Sequence, residues 1–167
     1  MNEYMKIAIN EAKLGIKKHD GGPFGAVIVK NGKVIAKGHN KVLINNDPTC
    51  HGEIDAIRKA SKKLHTYDLS GCILYTTGEP CHMCLCACMW ANIEKIHYGC
   101  TLKDNSIIGF RDEKFDNLMG GRKNIFFELS SIINKESDTA SVELEFIDNN
   151  DENHLLIRKK GNENFLV

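Results

Sequence analysis

The sequence predicts an α/β domain with helices on both faces of a sheet, and three observations carry the prediction. Apolar residues recur in alternating blocks at strand and helix spacing, turn residues separate the blocks, and no repeat or shift in composition marks a second domain. With 167 residues against a prior of about 150 per domain, the chain reads as one domain spanning 1–167. A chain of this size buries roughly 70% of the surface that its unfolded form exposes, so it needs no covalent staple.

Met5, Ala8, Ile9, Ala12 and Ile16 recur three and four apart, predicting an amphipathic helix over roughly residues 2–18 that ends at Asp20-Gly21-Gly22-Pro23. Phe24 to Val29 is an apolar strand, Asn31-Gly32 a hairpin turn, and Lys33 to Gly38 the return strand. Asp47 is placed as an N-cap and Pro48 as the first residue of a helix running to about His65. Cys72 to Thr76 follows as a strand, Gly78-Glu79-Pro80 turns into a helix through Trp90, and Ile93 to Tyr98 forms a further strand. Beyond Gly120 the pattern weakens. Residues 134–140 read as a linker, Val142, Leu144 and Phe146 alternate as a strand, and His154 to Lys160 reads as a terminal helix.

The 22 basic and 22 acidic side chains cancel, leaving no overall field to draw nucleic acid or anionic lipid. No apolar run reaches the 18 or so residues needed to span a bilayer. The charged N-terminal residues Glu3 and Lys6 do not suit a signal peptide, so a cytoplasmic location is expected. The seven cysteines are odd in number and include a dense run from Cys81 to Cys88. In a reducing compartment that points to metal or thiol chemistry.

Two turn-to-helix junctions carry metal-ligand residues: Cys50-His51-Gly52-Glu53 and Pro80-Cys81-His82-Met83-Cys84. Cys81 and Cys84, three apart in a first helical turn, share a face and can hold one metal. If the two helix N-termini converge, their dipoles favour thiolates there, and His51 completes a neutral three-ligand set on Zn²⁺. One ion per chain is expected, with a water or hydroxide as fourth ligand. Glu53 lies about 200° around the helix from His51, yet a bent-back carboxylate near the helix N-terminus can still take and deliver a proton. The alternative is a closed structural or redox site in which Cys50, His82, Cys86, Cys88 or Cys100 adds a fourth protein ligand. Cys86 and Cys88 are otherwise expected to face the core as small hydrophobes.

His-x-Glu followed by Pro-Cys-x-x-Cys is a zinc deaminase signature. On these residues, and on Gly21 to Lys30, Asn45 to Thr49, Ala56 to Ala60, Trp90-Ala91 and Gly109-Phe110, the sequence resembles the cytidine deaminase-like superfamily, and within it the small bacterial guanine deaminases. The resemblance spans about residues 1–115. It implies a three-layer α/β/α sandwich with a mixed five-stranded sheet, and hydrolysis of a purine base, guanine to xanthine and ammonia. In it Zn²⁺ is held by His51, Cys81 and Cys84, Glu53 is the proton carrier, and Asn40, Asp104, Phe24 and the backbone of Gly52 line the base pocket. It also implies a homodimer, with residues 134–167 exchanged between subunits and Phe165 as a candidate lid. Departures from the relatives are Gly52 where alanine is common, Cys86 and Cys88 where a small and an aliphatic residue stand, and no terminal tyrosine.

Related enzymes on this scaffold deaminate cytosine, guanosine or adenosine in tRNA. A tRNA substrate needs a phosphate-binding surface, for which Arg58, Lys59, Lys62 and Lys63 are the candidates. A solvated helix face explains those four charges more simply, and zero net charge argues against a nucleic-acid partner.

Overall fold

The computed structural model describes residues 2–119 in full and the backbone of two later strands, 141–149 and 152–160. Helix α1 spans Glu3–Lys18, where the Asn2 side chain accepts the Tyr4 backbone N–H at the start and Lys17 and Lys18 complement the dipole at the end. Strands β1 (Gly25–Lys30) and β2 (Lys33–His39) form the expected hairpin. Asn31 and Gly32 take φ values of 50° and 71°, the two positive angles that a tight hairpin turn demands.

A short helix, α2 (Val42–Asn45), follows where the sequence signalled only a turn. Helix α3 runs Gly52–Leu64 and begins later than expected. Asp47 is not its N-cap. The Asp47 carboxylate instead accepts the Thr49 N–H at 2.8 Å, the Thr49 hydroxyl at 2.7 Å and the Cys50 thiol at 3.1 Å, closing its own turn. These bonds, led by that of the Thr49 side chain, hold its pKa down to about 2. The role expected of Pro48 as first helical residue lapses with it.

Strand β3 (Cys72–Gly78), helix α4 (His82–Trp90) and strand β4 (Lys95–Cys100) form a parallel crossover unit. Helices α5 (Leu102–Ile107) and α6 (Asp112–Leu118) come next and had no sequence counterpart. Strand β5 is Ser141–Asn149, as the alternation predicted, and strand β6 is Glu152–Lys160. The helix expected over His154–Lys160 is therefore a strand, paired antiparallel with β5 on one side and β4 on the other. Ladder partners on both sides outweigh local helix propensity here.

The sheet is mixed, with order β2-β1-β3-β4-β6-β5, and β3 and β4 are its parallel pair. Its six strands replace the five expected: four, β1–β4, lie within residues 25–100, and the β5–β6 hairpin extends them along the β4 edge. Alternate residues of β1 and β3 serve different cores. Ala26, Ile28, Leu74 and Ile96 pack with Ala56 and Ala60 of α3 and Leu85 and Cys88 of α4. Val27, Val29 and Tyr75 pack with Ala8 and Met5 of α1. Gly38 permits the close seating of α3, because a Cβ there would collide with the Gly52 carbonyl and the Ala56 nitrogen.

On the β2 edge, Lys59 Nζ donates to the Lys37 carbonyl at 2.9 Å and Lys63 Nζ to the Ile35 carbonyl at 3.0 Å. Cys88 is buried as expected, whereas Cys86 is exposed: on the short α4 the two lie 200° apart and only one can face the sheet. Residues 134–140 and Phe165 lie outside the described residues.

Candidate active site

Helices α3 and α4 start beside one another. His51 and Cys81 each occupy the position before the first helical residue, in extended backbone, and neither side chain caps its own helix. Both are thereby left to point toward a common centre. His51 Nδ1 lies 3.6 Å from Cys81 Sγ and 3.6 Å from Cys84 Sγ. A tetrahedral zinc ion with Zn–N near 2.0–2.1 Å and Zn–S near 2.3 Å separates its nitrogen and sulfur ligands by about 3.6 Å, so the three donor atoms fit that ion. All three lie within 4.8 Å of one another, and among the described residues they are the one cluster with this geometry.

The protonation pattern suits a soft donor set. Cys81 is held down to about 4, first by the hydrogen bond from Cys84 and further by His51. The Cys84 thiol is pushed well up by donating that bond and by burial. His51 is raised, chiefly by its bond to Cys81. Zinc displaces such shared protons when it binds.

Glu53, 6% exposed, is the buried acid of the site. Its Oε1 accepts the Thr76 hydroxyl at 3.2 Å and its Oε2 the Cys84 thiol at 3.4 Å. Burial raises its pKa above the ordinary carboxylate range. The conflict over the 200° spacing from His51 disappears because His51 stands outside the helix, where its direction is not set by helical geometry. Thr76, which the sequence did not single out, braces the carboxylate.

These groups open onto a cavity of about 560 Å³ whose walls include His51, Glu53, Cys81, Asn40 and Phe24. The Asn40 side-chain oxygen accepts the Gly22 and Val42 backbone N–H groups at 3.2 and 3.1 Å. Its two lone pairs are thus committed, and the amide NH₂ is the group left for a ligand. Phe24 meets Phe110 edge to face at 4.6 Å. Gly52 is buried, with the Phe24 carbonyl 3.3 Å from where its Cβ would stand, and is not part of the cavity wall.

Asp104 is not brought to this cavity. Its carboxylate accepts the Thr101 N–H at 2.8 Å and hydroxyl at 2.7 Å, forming the capping box of α5 on the exposed side. The wall on that side is supplied instead by Asn105, Phe110, Arg111, Asp112 and Phe115. Asp112, in the first turn of α6, is close enough to His51 to raise its pKa. The Thr101-x-x-Asp104 cap was readable in the sequence and would have turned attention to these residues. His82 Nε2 of α4 lies 3.2 Å from Asp116 Oδ1 of α6, a contact between the two helices.

A buried carboxylate beside a three-ligand metal group with an open side defines a hydrolytic metalloenzyme site. Residues 1–100 match the cytidine and deoxycytidylate deaminase zinc-binding region, and the chain belongs to that family. It is a hydrolase acting on C–N bonds, and its cofactor is Zn²⁺.

The guanine deaminase of Bacillus subtilis is 50% identical over 109 residues, covering 65% of this chain and 70% of the relative. Its X-ray structure superposes with a TM-score of 0.65 at 49% identity, covering 68% of this chain and 73% of that one. The tRNA-specific adenosine deaminase of Aquifex aeolicus is 45% identical over 96 residues, covering 58% of this chain and 63% of the relative, so the match spans under two thirds of that enzyme. The guanine deaminase of Nitrosomonas europaea gives a TM-score of 0.61 at 33% identity, covering 64% of this chain and 62% of that one.

Proposed function

We propose that the protein deaminates a purine base hydrolytically, converting guanine and water to xanthine and ammonia. The observation that carries this reading is the buried Glu53 carboxylate facing the same cavity as His51 and Cys81. His51, Cys81 and Cys84 would hold the zinc ion, which supplies a water of lowered pKa at neutral pH. Glu53 takes the proton of the attacking water and delivers it to the ring nitrogen beside the amino-bearing carbon. It then carries a proton to the departing amine, so that ammonia leaves as the C–N bond breaks. Thr76 keeps the carboxylate turned toward the cavity through both transfers.

The Asn40 amide donates to a base acceptor, Asp112 accepts from ring or exocyclic N–H groups, and Phe24 packs against the ring. Guanine offers both kinds of group on its edges. This assigns to Asp112 the part that the sequence reading gave to Asp104.

Adenosine in tRNA is the second reading, favoured by the relatives of that activity. Against it stands the use made of the basic residues of α3. Lys59 bonds Asp55 at 2.7 Å as well as the Lys37 carbonyl, Lys63 bonds the Ile35 carbonyl, and Arg58 lies 3.5 Å from the Cys50 sulfur. Lys59 and Lys63 are thus turned back onto the protein's own carboxylate and carbonyl groups, which leaves fewer donors on this face for a phosphate.

We further read residues 1–167 as one cytoplasmic domain, its helices α1 against α3 and α4 as the outer layers of an α/β/α sandwich. We read it as a homodimer, which light scattering checks, with 134–167 as the segment exchanged in place of the intrachain β4–β6 pairing. A disulfide cross-link engineered between β4 and β6 distinguishes the two pairings by linking one chain or two. Among the described residues, no helix is long and apolar enough to cross a membrane. Ammonia release from guanine, adenine, cytosine, guanosine, adenosine and cytidine tests the function. Turnover of guanine, abolished in Glu53→Gln, is expected; turnover of another member alone overturns the substrate, and silence with steeply salt-dependent tRNA binding favours the second reading.

A further inference from the structure

We infer that Asn105 is a substrate-recognition residue of this site, a second carboxamide that hydrogen-bonds the bound base. The inference rests on the proposed deaminase reading and adds to it a contact that the sequence motifs do not carry. Asn105 sits on α5, is only 4% exposed, and lines the cavity. Its backbone groups are spent, the N–H on the Thr101 carbonyl at 3.0 Å and the carbonyl on the Phe110 N–H at 3.1 Å. Among the described residues, no protein group hydrogen-bonds its side chain. A carboxamide has up to four hydrogen bonds to make, and with no protein partner for this one they must be made from the cavity, by water or by a ligand. Side chains of this kind are retained where a ligand completes them.

The surroundings say which ligand. Asn105 Nδ2 lies 3.1 Å from where a Cβ on Gly78 would stand, and the Phe24 ring edge approaches the same point at 3.1 Å. Asn105 therefore borders the ring of Phe24, which we have placed against the base, and Gly78 leaves the space beside it clear. The carboxamide presents one acceptor and one two-proton donor in a plane. Its complement is a planar heterocycle with an acceptor and an N–H side by side on one edge, as a purine base has. Asn40 differs, since its oxygen is already taken by two backbone N–H groups and it offers donors alone. Asn105 is the carboxamide able to read both.

The test uses the zinc-loaded full chain with Asn105→Ala, Asn105→Leu and Asn105→Asp. If Asn105 binds the base, kcat/KM for whichever base the wild type turns over falls about 10- to 100-fold in Asn105→Ala and Asn105→Leu, carried mainly by KM, with zinc content unchanged. Asn105→Asp, which replaces the donor by an acceptor, shifts the ranking of bases in the panel. Because the side chain braces no other protein group, Asn105→Leu leaves the melting temperature of the ligand-free protein unchanged within about 2 °C. A carboxamide with a purely structural role predicts the opposite: a lower melting temperature and an unchanged KM and ranking. That result overturns the inference and leaves the deaminase reading in place. If the wild type turns over no base, the function reading fails and the inference falls with it, whereas an unchanged KM and ranking in the variants of an active enzyme overturn the inference alone.

Discussion

The two walls of the cavity are built in different ways. The wall of chemistry is made from the starts of α3 and α4 and the end of β3, where Cys84, Thr76 and Glu53 are 0%, 1% and 6% exposed. Each of these side chains has a partner within the site. The facing wall, to which we assign recognition of the base, includes α5 and α6, two helices of six and seven residues. No residue of α6 is buried, and Ile107 and Leu118 are 77% and 74% exposed. Proton transfer needs atoms held within a few tenths of an ångström, and a packed core supplies that. Base choice needs a few polar groups at the right rim, and short surface helices can exchange those without disturbing the metal site. Guanine and tRNA adenosine deaminases both stand among the relatives, as expected of one chemical wall combined with different recognition walls.

Breaking the chemical wall gives the largest effect. Cys84→Ala leaves two of three ligands, so zinc measured by mass spectrometry falls well below one equivalent and turnover is lost; a strong chelator acting on the wild type does the same. Glu53→Gln comes next. It keeps one zinc per chain while kcat drops about 10²- to 10⁴-fold, the usual worth of a positioned acid–base group. Retention of wild-type rate would falsify the assigned role.

Changes to the recognition wall act on binding more than on the chemical step. Asp112→Asn removes a charge-assisted hydrogen bond of about 1.5–3 kcal/mol, lowering kcat/KM about 10- to 150-fold through KM with zinc unchanged. Steady-state kinetics on guanine measure it, and an unaltered KM returns the base-reading carboxylate to another residue. The smallest effect is expected from His82→Gln, which loosens α6 from α4. A partly exposed pair is worth about 0.2–1 kcal/mol, so KM rises by up to about fivefold, and Asp116→Asn should match it without adding to it in the double variant.

The same contrast explains what was legible in the sequence. The metal ligands and Glu53 lie in two short motifs at helix starts, where position and chemistry are set locally. The hairpin at Asn31-Gly32 was readable because two consecutive positive φ angles need those residues. Asn105 and Asp112 were not, because helices too short to show a period leave no apolar pattern, and their role depends on which face the chain turns toward the cavity. Asp104 is what the resemblance implies for an aspartate after the fourth strand, although Thr101 three residues earlier signals a helix cap. His154 to Lys160 misled in another way: strand pairing with β4 and β5 is a long-range fact that no local window contains. Burial of α3 on the sheet likewise hides in Gly38, whose meaning emerges only when Gly52 and Ala56 are found above it.

The two lysines laid over the β2 carbonyls reach beyond the site. An open strand edge is a template on which another chain can assemble, and it is a common starting point for aggregation. With Lys59 and Lys63 occupying acceptors of that edge, the sheet resists growth there at the high local concentrations of a cell. Acetylation of those amines would weaken the two bonds and leave the carbonyls of that edge open to another chain.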